Sequence, residues 1–165
     1  MRGSMAIDTK RVLNRRQLRF ENEQQILDEA ERLIAGNARV MGNWSAGQIL
    51  KHLAIVMDGS IDGINFRAPW FIRVVAPLFK RRILTGRMPP GFKLSPDAEA
   101  KIVPSPAISV DEGLQALRAS VARQHSTPTR KPSPFLGSMT REDWTKLHCR
   151  HAELHLSFLT VDETV

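Results

Sequence analysis

Apolar residues recur along this chain at the spacing of helices, and nowhere over a useful length at the alternation of strands. From Glu23 to Ala35, Ile26, Leu27, Ala30, Leu33 and Ile34 share one face. Asn22 is placed to cap this helix, with Gln25 three residues on, and Gly36 ends it. The next start signal is the best in the sequence. Ser45 and Gln48 spell a capping box, while Trp44 and Ile49 take the two positions of a hydrophobic staple. This second helix is expected to reach about Ile64, with Ile49, Leu53, Val56, Met57 and Ile64 as its core stripe. His52 falls at the stripe's edge. Gly59 and Gly63 share its flank, where another helix or a ligand can come close.

The stretch from Ala68 to Leu84 is apolar on one side and basic at its end. Pro69 suits a first helical turn and Pro77 should kink or divide the helix. Its character suits a membrane surface, but Phe71, Val74, Val75 and Leu78 read as a core stripe and favour a bundle helix or a flap over a site. Thr85 to Ala107, rich in Pro, Gly and Ser, is expected to cross the bundle irregularly. Ser109 and Glu112 form a further capping box, opening a helix with Leu114, Leu117 and Val121 that ends near His125. A loop from Ser126 to Ser138 leads into the last helix, Thr140 to Leu159. The pattern predicts an all-α fold: a four-helix bundle with a short or kinked extra helix and a long Pro-rich crossover. Residues 20–165 are read as one domain, and residues 1–19 as a basic arm, loose or with a short element.

The last helix carries the chemistry. Thr140 is its N-cap, with Asp143 as a weaker form of the capping box. At about 100° per residue, Trp144, Leu147, Leu154 and Phe158 lie within about 80° of one another, with His151 inside the arc and His148 and His155 on its flank. Asp143, Lys146, Arg150 and Ser157 take the opposite side. His151 and His155 stand one turn apart and can aim two imidazoles at one point. Two readings stand: hydrogen-bonded core histidines, or two ligands of a metal.

A net charge of +7 clusters at residues 10–19 and at Lys80, Arg81 and Arg82. It could draw in phosphates, an acidic cofactor, an anionic membrane or nucleic acid. There is no Tyr and no nucleic-acid-binding motif, so a solvated basic face is the preferred reading and nucleic acid is not expected. Cys149 is the only cysteine, which excludes an internal disulfide. No leader and no membrane span stand out, which reads as cytoplasmic, and Met1 to Ser4 read as vector-derived because Met5 could serve as a start.

NWSAGQILKHL followed later by MTREDWTKLHCRHAELHL resembles the DinB/YfiT-like superfamily of metalloenzymes. Within it, the stretch from about Leu18 to Leu159, including FRAPW and MPPGF, looks like the family called domain of unknown function 1569. The resemblance implies a four-helix bundle whose three histidines bind a divalent metal, zinc or nickel. It places that metal on His52, His151 and His155, and leaves His148 outside the triad as a second-shell or substrate-facing group. Some members of the superfamily are S-transferases that use bacillithiol, mycothiol or glutathione, and one branch isomerises maleylpyruvate. No activity of the narrower family carries over.

Three neutral imidazoles would leave a metal its full charge and an open position, able to activate a water or a low-molecular-weight thiol. HAELH is not HExxH: Glu153 points about 160° from His155, so a zinc-protease reading fails. Asp58 and Asp62 read as surface charge, and Cys149, off the core stripe, makes a poor nucleophile. Lys80, Arg81, Arg82 and Arg87 are candidate contacts for an anionic ligand at the mouth of a pocket closed by the 66–84 segment and the crossover. Two hypotheses remain. One is a metal-dependent transferase or hydrolase acting on a small-molecule substrate. The other is a non-catalytic bundle that binds a metal, a small ligand or a protein partner. A homodimer is compatible with either.

Overall fold

A computed structural model describes residues 6–66 and 68–161; the Met1 to Ser4 stretch lies outside them. Helix α1 (Glu23–Ala35) starts at Asn22, whose side chain accepts from the Gln25 amide. After a two-residue strand β1 (Arg39–Val40), helix α2 (Ala46–Asp62) opens with the Ser45–Gln48 capping box formed in both directions. It stops two residues short of Ile64 because Gly63, at φ 92°, turns the chain out of the helix. Short helices α3 (Trp70–Val75) and α4 (Lys80–Thr85) are divided, as Pro77 requires, by a 3-10 turn over Ala76–Phe79. The crossover contains a helix absent from the sequence reading, α5 (Pro96–Ile102). Its signal was Ser95 followed by Pro96, a side-chain cap and a proline in the first turn. Helices α6 (Val110–Ser126) and α7 (Arg141–Leu156) carry the capping boxes of Ser109 and Thr140. Strand β2 (Leu159–Thr160) then pairs antiparallel with β1, Arg39 opposite Thr160, too short to leave a pattern in the sequence.

The four long helices form the bundle. Its core joins Ile26, Leu33, Leu50, Leu53, Leu117, Val121, Ala152 and Leu156. Helices α2 and α6 meet backbone to backbone. A Cβ on Gly113 would sit 2.6 Å from the Gly47 carbonyl oxygen, and one on Gly47 would sit 2.6 Å from the carbonyl oxygens of Ile108 and Ser109. Gly113→Ala should therefore destabilise the protein by about 1–3 kcal/mol despite the ~1 kcal/mol that alanine gains in helix propensity. Thermal unfolding would report this as a loss of about 2–4 °C per kcal/mol, and a rise in Tm would show that the two helices part freely.

Three expectations need correction. Phe71, Val74, Val75 and Leu78 are exposed, not a core stripe; the inward positions of that segment are Ile72, Ala76, Ile83 and Leu84. The pattern shows which residues share a face but not which way the face turns. In α7, Cys149 and Arg150 are buried, as is Ser157 just beyond it, although all three were read as lying off the core. The helix is covered on both sides, and the stripe of Trp144, Leu147 and Leu154 faces a cavity while Cys149, Ala152 and Leu156 face the bundle core. His52, read at an edge, is buried because the crossover lies over it.

The described part of the N-terminal arm carries a 3-10 turn at Thr9–Arg11 and is tied to the bundle. Arg15 donates to the Ser157 hydroxyl at 2.9 Å and lies over the Phe158 ring, and Arg16 pairs with Glu29. Among the described residues no helix is long and apolar enough to cross a membrane.

Candidate metal centre

His52 reaches the centre from the second turn of α2, and His151 and His155 reach it from successive turns of α7. All three present Nε2. The His151 nitrogen lies 3.1 Å from that of His52 and 3.0 Å from that of His155, and the three ligand atoms fall within 4.8 Å of one another. Ligands at ~2.0–2.1 Å from one tetrahedral ion stand ~3.3–3.4 Å apart, so the spacing fits a shared metal with little adjustment. One proton on His151 Nε2 can serve only one of its two neighbours, which leaves lone pairs facing each other across the centre.

The backbone sets the orientation of His52. Its Nδ1 lies 2.7 Å from the Ile102 carbonyl oxygen at the end of α5, and a carbonyl only accepts. The proton therefore sits on Nδ1 and the Nε2 lone pair is directed at the other histidines, as a metal ligand requires. Gln48 holds the same crossover by donating to the Pro104 carbonyl oxygen. Trp44, brought in by the staple ahead of α2, stacks on His155 and meets the His52 ring edge-on. Neither the Ile102 carbonyl nor the Trp44 wall was foreseen. Both depend on contacts between segments far apart in sequence.

Burial pushes the His52 imidazole down to about 4, against its bond to Ile102. His151 and His155 are held well below the ordinary value by burial and then by the neighbouring imidazoles. At neutral pH all three are uncharged, with lone pairs available to a cation.

Above the nitrogens lies a cavity of about 540 Å³. Its walls come from α2 (Ile49, Val56), from α3 and α4 (Ile72, Ile83), from the crossover (Met88, Phe92) and from α7 (Leu147, Leu154). No Asp, Glu, Lys or Arg lines it among the described residues. Of its few polar side chains, Asn43 is bonded both ways to the Ile7 backbone and Ser133 accepts from the amides of Phe135 and Leu136.

The remaining candidates lie elsewhere. His148 is fully buried and directs Nδ1 to Glu23 at 3.1 Å, beside the Trp144 ring and outside the cavity lining. Burial raises the Glu23 carboxyl, but bonds from His148 and Thr145 outweigh it and hold the group down at about 2. Lys80 pairs with Asp143 at 2.7 Å and Arg87 donates to Gln17; these two, like Arg81 and Arg82, are not part of the lining. Asp58 and Asp62 both pair with Arg123. Burial pushes the Cys149 thiol up to about 12, which leaves it inert at neutral pH.

No curated protein and no solved structure matches the chain. Residues 12–162 match the family model described as Protein of unknown function (DUF1569), and the chain belongs to that family.

Proposed function

We propose that this protein is a divalent-metal-dependent enzyme of the DinB/YfiT-like superfamily, acting on a small molecule with an apolar body. His52, His151 and His155 are its ligands, and zinc or nickel suits three neutral imidazoles. The observation that carries this reading is the convergence of three Nε2 atoms at the floor of an uncharged cavity of about 540 Å³. A purely structural role for the histidines would not call for such a space beside them. When bound, the metal supplies a Lewis acid that lowers the pKa of a water or thiol at its open position.

The chain's own residues then do the positioning. The Ile102 carbonyl fixes His52, Trp44 holds His155 by stacking, and the aliphatic walls exclude water from the substrate's body. With no carboxylate in the lining among the described residues, the reaction relies on the activated nucleophile and on exclusion of solvent, which suits an S-transferase-like or hydrolase-like step. The stretch 20–165 is read as the catalytic domain, and Arg15 and Arg16 of the arm ahead of it brace the bundle.

The test uses protein purified without a nickel column. It should take up one cobalt per chain, and a thiol should add a sulfur-to-cobalt charge-transfer band. Alkyl thiols should saturate that band at concentrations ~10-fold lower than glutathione, since each buried methylene is worth about 0.8 kcal/mol. A spectrum indifferent to thiols but responsive to hydroxide would favour the hydrolase. Failure to bind any metal would end the reading.

A further inference from the structure

The segment that walls the cavity with Ile72, Ala76 and Ile83 turns a second apolar face to solvent. Trp70, Val74 and Leu78 recur every fourth residue and are 76%, 62% and 79% exposed; Phe71, Val75 and Phe79 form a parallel exposed row. Two apolar rows on the outside of a bundle are costly to leave in water and mark a surface that is covered in use. Its charge says by what. Residues 63–96 hold seven basic residues (67, 73, 80, 81, 82, 87 and 93) and no acidic one. The 17 basic residues elsewhere equal the chain's 17 acidic residues in number, so the excess in this segment is as large as the whole net charge of +7.

We propose that the α3–α4 segment docks on the surface of an anionic lipid bilayer, with Trp70, Val74 and Leu78 entering the headgroup boundary and Arg73, Arg81 and Arg82 meeting lipid phosphates. Arg73, Arg81 and Arg82 are exposed, and among the described residues none is paired with a carboxylate. Exposed aromatic and aliphatic side chains beside arginines are the composition of an interfacial anchor. A second copy of the chain fits less well. A two-fold contact through this face would set cations against cations with no acidic residue of the segment to relieve them. Docking would also bring the apolar cavity behind Ile72 and Ile83 against the bilayer, where apolar substrates concentrate.

Flotation of the full chain with vesicles tests this. Binding is expected to vesicles of phosphatidylcholine and phosphatidylglycerol and not to phosphatidylcholine alone, weakening as salt rises. Arg81→Ala with Arg82→Ala should weaken binding on the order of 25-fold, since each basic side chain near an anionic surface contributes about five-fold. Trp70→Ser with Leu78→Ser should weaken it by at least ~10-fold, with circular dichroism and Tm unchanged because both residues are exposed. In Trp70→Phe, the vesicle-induced blue shift of tryptophan fluorescence should disappear while binding persists. Absence of lipid-dependent binding at low salt, or binding indifferent to the paired arginine and paired serine substitutions, would overturn the proposal. So would a concentration-dependent dimer in light scattering that Leu78→Ser abolishes, which would assign the face to a second copy.

Discussion

His151→Ala is expected to abolish stoichiometric zinc or nickel binding, whereas His148→Ala should retain one metal per chain. His151 is the shared neighbour of the other two nitrogens, at 3.1 and 3.0 Å, so its removal breaks the only short contacts in the triad. Loss of an orienting partner costs roughly 10–100-fold in metal affinity, and loss of a central ligand should exceed that range. The two variants should separate in stability the other way. His151 keeps part of its surface open to the cavity, so its truncation removes little packing. His148 is fully buried, and without it the Glu23 carboxylate loses one of its side-chain donors and keeps that of Thr145, at a cost of about 1–3 kcal/mol. Competition with a chelator measures the first effect, and thermal unfolding of the metal-free proteins measures the second. Equal losses of metal from both variants would mean that the metal does not sit on the His52–His151–His155 triad.

That separation also marks what the sequence reveals. Ser45, Ser109 and Thr140 all cap as read, because a cap is settled within four residues. The histidine pair is legible for the same reason, since a spacing of four sets two rings on one face whatever surrounds the helix. The third histidine of the cluster, His52, has no such local partner and entered only through the resemblance of its motif. The readings that failed concern depth. Leu78 and Val74 were assigned to the core by periodicity, and Cys149 and Arg150 were assigned away from it, because a helical wheel records relative direction alone. In α7 the most apolar arc faces the cavity and the mixed arc faces the bundle, the reverse of what amphipathicity suggests for a surface helix. The cavity is itself the reason: its walls come from α3, α4 and the crossover, the segments expected to close a pocket, and that cover turns the apolar arc of α7 toward them.

The mixed arc of α7 carries the largest stability effect expected here, at Glu153. In the sequence this residue interrupts HAELH and invites comparison with a metal-site acid. In the structure it lies on the far side of the helix, buried, and bonded to Arg150 at 2.5 Å and to the Phe20 amide at 2.7 Å, with Arg19 at 4.0 Å. Arg150 is equally buried and spends its other bond on the Phe20 carbonyl oxygen. Glu153 and Arg150 therefore latch the chain ahead of α1 onto α7. Glu153→Ala would leave a guanidinium deep in the protein with one neutral acceptor, and breaking a buried pair from one side costs about 3–5 kcal/mol. For a chain of this size the loss in Tm should be on the order of 10 °C. Replacing both partners, Arg150→Met with Glu153→Leu, should recover much of that loss, since the stranded charge is gone and the volume is kept. Metal uptake by Glu153→Ala should be unchanged at temperatures where it remains folded. A loss of metal without a loss of stability would mean that Glu153 serves the histidine centre after all, and that the latch is incidental.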